Sequence, residues 1–368
     1  MNQSSTTLIP ESFQKELGSI LEKCHPPNSQ MESWRKFSFP KGYLEHGFAP
    51  EKNLSTAWEK TWDNSFQNFL NFYREEYLAV FSLKNATEIR FFEAKGNETL
   101  VLPNLEFSNE SLWNIPVTFL KVPDNSQVYI QDSLEVKGEV ETLSLVSSLV
   151  YLEIGNNCKV DWISSEKFTD SSLHFKFCYV RIGKDSELSH VQATTGGFQG
   201  KEFYDYAILG SNSRVDARGA GVFQNRNRND IEMRMLHENG NSSSNILYKT
   251  IVGGKAHHLF TGNLHIPTGI QKIKADQMNR NITLSKSARA ESIPKLEVFS
   301  DEVSTSHGAT VGELGEDEIF FLNSRGLNLE EAKALLLSGF FQDVFEIVEK
   351  SEFTEALYEN LMKKVFTP

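Results

Sequence analysis

His307 lies in SDEVSTSHGATVGELGEDEIFFLNSRG, residues 300–326, beside Gly308 and Ala309 and with acids on both sides. An imidazole titrates near neutral pH, so it can bind a metal or take a proton. Asp301, Glu302 and Glu313 are the carboxylates that sequence places near it. A hydrogen-bonded histidine in a turn is the plainer reading of the same residues. His257 and His258 are adjacent and His265 follows seven residues on. Neighbours in a strand face opposite ways, so only His257 and His265 can share a face. There is no HExxH and no tight Cys/His cluster, which disfavours a structural metal site.

Other chemistries fare worse. VGGKAHH (252–258) and TTGGFQGK (194–201) both miss the GxxxxGK[ST] spacing of a phosphate loop. No GxSxG elbow is present, and Ser306 next to His307 does not make a triad. Cys158 and Cys178 lie in β-like runs and read as buried core residues, while Cys24, before His25-Pro26-Pro27, reads as more exposed. Three sparse cysteines without a CxxC argue against a disulfide framework and for a reducing, cytoplasmic setting.

Composition narrows the class. The chain has 368 residues, 39% apolar and 23% charged, enough for a large soluble core with appended parts. A net charge of −12 argues against broad nucleic-acid binding, and Arg226 and Arg228 in NRNRND are too few to reverse it. The N-terminus lacks the basic and apolar regions of a signal peptide, and no apolar run reaches membrane-spanning length.

The elements that must position these residues come in three parts: 1–85 partly helical, 86–322 β-rich, and 323–368 helical. Phe13, Leu17, Ile20 and Leu21 share one face of a helix that Pro26 and Pro27 stop. An irregular segment follows, anchored by Trp34, Phe37 and Phe39. From about residue 88, short alternating runs are broken by Asn, Asp, Gly and Ser. No amphipathic helix separates them, so a βαβ fold is disfavoured. A weak repeat runs through VPDNSQV (122–128), IGNNCKV (154–160), IGKDSEL (182–188) and LGSNSRV (209–215). Its central residues Ser126, Cys158, Ser186 and Ser213 are 32, 28 and 27 residues apart. Such spacing predicts a parallel β-helix or, equally on periodicity alone, an antiparallel sandwich. The polar stretch 238–300 suits strands and corner turns with Asn ladders.

The tail returns to helical spacing. Asn328 and Glu331 match a capping box. Leu329, Ala332, Leu336, Phe340, Val344 and Val348 trace an apolar stripe, which Leu335, Leu337, Phe341, Phe345 and Ile347 broaden. The excess width points either to a partner or to packing against the β region.

The ordered run from Pro294 to Val298, Asp301–Glu302, Ser306 to Gly312, Gly315 to Leu322, Ser324 to Gly326 and Glu330–Glu331 resembles the C-terminal signature of the SufB/SufD family of iron–sulfur assembly scaffolds. ESWRKFSF around Trp34–Arg35 and the segment 257–299 agree with it, and the first 200 residues match loosely. Within the family, the short N-terminus and the SHGAT pattern look more like the SufD type than the SufB type.

The resemblance implies a right-handed parallel β-helix core flanked by N- and C-terminal helices. It implies a non-enzymatic scaffold that pairs with a SufB-type chain and docks a SufC-type ABC ATPase, with a homodimer as a form in isolation. Leu336, Phe340, Phe341, Val344 and Phe345 then become the ATPase-docking residues. His307 becomes an interface ligand for iron or a nascent cluster shared transiently with the SufB-type partner, with no cofactor held stably by this chain alone. Two residues before it, where the resemblance expects cysteine, stands Thr305, a poorer iron ligand than a thiolate. A SufB-like or self-paired variant is the alternative within the family. A β-helical carbohydrate hydrolase is the alternative outside it, for which no motif pairs two acids.

Overall fold

The computed structural model describes residues 9–28, 30–34, 37, 60–108, 113–138 and 143–366. Arg35 and Phe39, assigned above to the N-terminal segment, lie outside them. Helices α1 (Glu11–Leu21), α2 (Asp63–Phe72) and α3 (Tyr77–Lys84) come first. Strands β1 (Glu88–Glu93), β2 (Glu98–Val101), β3 (Leu105–Ser108), β4 (Trp113–Asn114) and β5 (Pro116–Val122) open the array. Longer strands follow: β6 (Gln127–Lys137), β7 (Ser144–Ile154), β8 (Lys159–Lys167), β9 (Ser172–Ile182), β10 (Glu187–Thr195) and β11 (Gln199–Ile208). Then come β12 (Arg214–Phe223), β13 (Arg228–His237), β14 (Ser243–Val252), β15 (His257–Ile266), β16 (Ile273–Thr283), β17 (Arg289–Val298) and β18 (Val303–Gly312). Helices α4 (Glu316–Ser324), α5 (Leu329–Phe345) and α6 (Glu352–Phe366) close the chain.

From β5 onward every strand pairs in parallel with the strand two places along, so the chain coils rather than folding back. Odd strands there build one sheet and even strands the other, with β1 and β4 joining the odd sheet and β2 and β3 the even one. A parallel β-helix is therefore the fold, and the sandwich alternative is excluded.

The repeat noticed in the sequence is the turn from an odd to an even strand. Asn125, Asn157, Asp185 and Asn212 occupy left-handed backbone there, with φ of 62°, 56°, 56° and 58°. Asn and Asp tolerate that region better than other side-chain-bearing residues. Their side chains stack from coil to coil: Asn157 Nδ2 donates to Asn125 Oδ1 at 2.9 Å, and Asn212 Nδ2 to Asp185 Oδ1 at 3.0 Å. The small residue that follows is buried and binds the coil before it. Ser186 Oγ donates to the Gly155 carbonyl at 2.8 Å, and Ser213 Oγ to that of Gly183 at 2.6 Å. Gly183 itself is required by close approach, since a Cβ there would stand 2.5 Å from the Gly155 oxygen.

Helices cover both outer faces. Phe66, Phe69 and Tyr73 pack with Trp34 onto Phe175, Phe177 and Phe203 of the odd sheet, which accounts for much of the phenylalanine content. The Tyr73 hydroxyl donates to Asp205, which also pairs with Arg234. On the even sheet, Leu337, Phe341, Val344 and Val348 from the tail pack with Leu357 and Leu361 of α6. Their floor is Ile163, Val191, Ala220, Val222 and Ile251. Asn328 and Glu331 form the expected capping box, with Asn328 Oδ1 accepting from the Glu331 amide at 3.0 Å.

Candidate functional site

The inside of the solenoid has an apolar half and a polar half. Where even strands begin, Val128, Val160, Leu188 and Val215 stack in register and bury fully or nearly so. Toward the other end of the same strands, Asp132, Ser164 and Gln192 form one inward row. Glu166 and Thr194, in register with each other, extend a second, and Asn279 and Asn281 continue the two rows near the C-terminal end. The facing strands contribute His174, Lys176, Glu202 and Asn229, all buried. Glu202 accepts from Thr194 Oγ1 at 3.1 Å, Tyr204 OH at 3.0 Å and Asn229 Nδ2 at 3.0 Å, and contacts His174 Nε2 at 3.3 Å. Burial works against its ionisation, yet the His174 bond, the nearby positive charge and Asn229 hold its carboxyl below the usual range. Lys176 Nζ stands 2.6 Å from Glu166 Oε1. Burial pushes the Glu166 carboxyl up, and Lys176 offsets that only in part. These sealed charges escaped the sequence reading. The signal was the run of polar residues at alternate positions, but only the register tells which phase points inward.

His307 sits at the mouth of this interior. It lies on β18, in register with Gln277 of β16. Ala275, Gln277 and Asn279 point inward and are buried, at 0%, 4% and 1% exposure. In-register parallel neighbours point the same way, so Thr305, His307 and Ala309 face inward too. No described strand follows β18, so His307 is exposed and its imidazole makes no hydrogen bond among the described residues. Thr305 is half-buried beside Ala275. Next to His307, Ser306 Oγ donates to Asp276 Oδ1 across the strand pair.

The acids near His307 in sequence do not converge on it. Glu302 precedes β18 and Glu313 follows it, so strand rise alone separates each from His307 by about 16–20 Å. His257 and His265 do share the outer face of β15, but each pairs with its own carboxylate. His257 Nε2 is 2.8 Å from Glu291, and His265 Nδ1 is 3.0 Å from Glu297. His258 points inward between Phe223 and Tyr248, and burial pushes its pKa down to about 3. Among the described residues no three His, Cys, Asp or Glu side chains gather as a metal site. An iron or cluster held at His307 would therefore draw one ligand from this chain and the rest from elsewhere. Cys158 and Cys178 are buried and Cys24 is partly exposed.

The tail residues nominated for a partner divide. Phe341 and Val344 are fully buried against the even sheet, so they are not on an outer face. Leu336, Phe340 and Phe345 are half-buried. The outward apolar surface is instead Leu329 and Leu335 on α5, at 47% and 52% exposure, with Phe320 and Phe321 on α4 at 74% and 56%. Helix α5 is clamped in place by Lys249, whose Nζ lies 2.7 Å from Asp343 and 2.8 Å from the Phe340 carbonyl.

Residues 107–340 match the SufBD core domain of the SUF system of FeS cluster assembly. The chain belongs to this SufBD core family. The match runs from β3 into α5 and so contains His307 and its coil. The chain is 27% identical over 232 residues to the chloroplastic protein ABCI7 of Arabidopsis thaliana, covering 63% of this chain and 49% of the relative. It is 27% identical over 242 residues to the iron-sulfur cluster assembly SufBD family protein slr0076 of Synechocystis, covering 63% and 52%. It is 28% identical over 193 residues to the iron-sulfur cluster assembly protein SufD of Escherichia coli, covering 52% and 44%. The chain spans about half the length of the curated SufBD relatives it matches. Among the described residues, no helix of this SufBD member is long and apolar enough to cross a membrane.

Proposed function

We propose that this chain is a non-enzymatic, SufD-type scaffold for iron–sulfur cluster assembly, pairing with a SufB-type chain and docking a SufC-type ATPase. The observation that carries the reading is the open last coil. Among the described residues, strands β17 and β18 each have a neighbour on one side only, and Leu296, Phe299 and Val311 are exposed around them. A solenoid end normally needs a cap, and an unpaired strand edge is a template for another chain. A SufB-type partner laid on this edge would cover His307 and complete its ligand set. Iron or the nascent cluster is the cargo of that shared site, not a resident cofactor. One neutral imidazole binds iron weakly enough to release it. Leu329 and Leu335, with Phe320 and Phe321 and the half-buried Leu336, Phe340 and Phe345, form the ATPase-docking surface in this reading.

Size-exclusion chromatography with light scattering, on the chain mixed anaerobically with SufB- and SufC-type proteins of the same genome, tests the proposal. A three-component complex supports it. A Val311→Asp variant that keeps the ATPase but loses the SufB-type chain would place the pairing at the open coil. A wild-type chain that binds neither partner, or only itself, removes the proposal.

A further inference from the structure

Five cations line one lateral edge of the solenoid. Arg226, Lys255 and Lys286 stand at the tips of successive even-to-odd turns, and Arg228 and Arg289 open β13 and β17. All five are exposed, and none forms an ion pair or side-chain hydrogen bond among the described residues. Of the acids beside them, Asp230 and Glu291 face other partners, and Asp170, held by two neutral amides, is the one carboxylate left among the cations. Asp170 accepts from Asn225 Nδ2 and Asn227 Nδ2 at 2.8 Å each, Asp230 is 2.8 Å from Lys201, and Glu291 is 2.8 Å from His257. In a chain with 49 acidic and 37 basic residues this is a local reversal of charge. Phe198, 37% exposed, stands at the neighbouring turn. With Asn225, Arg226, Asn227, Gly254, Lys255 and one acid, Asp170, it lines a surface cavity of about 480 Å³.

We infer that this edge binds a short acidic segment of a partner protein, its carboxylates on the cationic tips and an apolar side chain against Phe198. Adjacent strands are about 4.8 Å apart, so the three tips span about 10 Å. That length suits a few carboxylates of an extended peptide. A long polyanion would run past the edge onto the rest of a chain whose net charge is −12, and screening over about 8 Å leaves the repulsion in force for a strand lying on it. Arg226, Lys255 and the cavity beside Phe198 lie back from the open end, Lys286 and Arg289 lie at the start of β17, and the inference does not rest on the scaffold reading.

Fluorescence anisotropy tests it with a labelled peptide of alternating glutamate and alanine that carries one central phenylalanine. The wild-type chain is expected to bind at low ionic strength and to lose affinity as salt rises. A triple variant, Arg226→Ser, Lys255→Ser and Lys286→Ser, should bind about tenfold more weakly. Reversal of the same three to Glu should abolish binding and create affinity for a lysine–alanine peptide. Thermal melts run alongside, and Lys255→Ser or Lys286→Ser alone replaces any triple variant whose melt falls. Undiminished binding by the folded variant would overturn the inference. So would an oligonucleotide or a phosphatidylserine vesicle that binds more tightly than the peptide with the same sensitivity to the triple change.

Discussion

His307 and Gln277 are in-register neighbours on β18 and β16, yet His307 is exposed while Gln277 is 4% exposed. One coil of separation turns an inward position from core into surface. His307→Ala should therefore change stability by no more than about 0.5 kcal/mol. Gln277→Ala, which removes the donor to the Lys295 carbonyl at 3.3 Å, should cost about 1–3 kcal/mol. Urea titration of the two variants separates them. In the proposed complex, only the His307 change should abolish cluster formation at full stability, and unchanged cluster yield would remove its ligand role.

The tail helix divides in the same way. Phe341→Ala empties a fully buried site and should cost about 3–5 kcal/mol. Leu335→Asp, on the exposed side, should leave the melting curve in place and prevent ATPase binding in light scattering. An ATPase that binds the Leu335→Asp variant normally places its dock elsewhere.

Thr250 gives a prediction in the stabilising direction. Its hydroxyl is fully buried in the polar half and has no partner among the described residues. Thr250→Val keeps the shape and removes the desolvation cost, so the urea midpoint should rise, by about 1 kcal/mol of stability. A fall in the midpoint would mean that the hydroxyl is bonded in solution.

Acid should unfold the chain from a higher pH than carboxylates alone would set. Burial pushes His237 down to about 4 and His258 to about 3, against an unfolded value near 6.5. Folding therefore holds both neutral where the unfolded chain takes protons. Their contribution is complete above about pH 6.5 and is lost as pH falls toward those depressed values, at about 1.4 kcal/mol per pH unit for each. His258→Phe should flatten the fall of stability between pH 6 and 4. An unchanged slope would show that His258 is protonated in the fold.

Local chemistry made much of the fold legible. The turn repeat was visible because an Asn or Asp in left-handed backbone followed by a small residue is a sequence-local demand, and the capping box is equally local. Helix α5 was harder. Apolar residues lie on nearly all its sides, so periodicity could not say whether Leu336 and Phe340 or Leu337 and Phe341 face the sheet. The structure turns Leu337 and Phe341 inward. The acids around His307 failed as a cluster for a related reason, because a strand carries sequence neighbours away from one another. The buried charges needed knowledge of which coil lies on which, and that is a long-range property.

The turn ladder also sets how this protein can vary in length. Ile154 and Ile182 are equivalent positions in successive coils, and Gly155 and Gly183 follow them. Removing residues 155–182 would join Ile154 to Gly183, a residue already shaped for that junction. Inserting one residue within a strand would instead send every later side chain of that strand to the wrong face. Length in this fold is thus counted in whole coils, and a gene encoding it can lose or gain a coil far more safely than a codon.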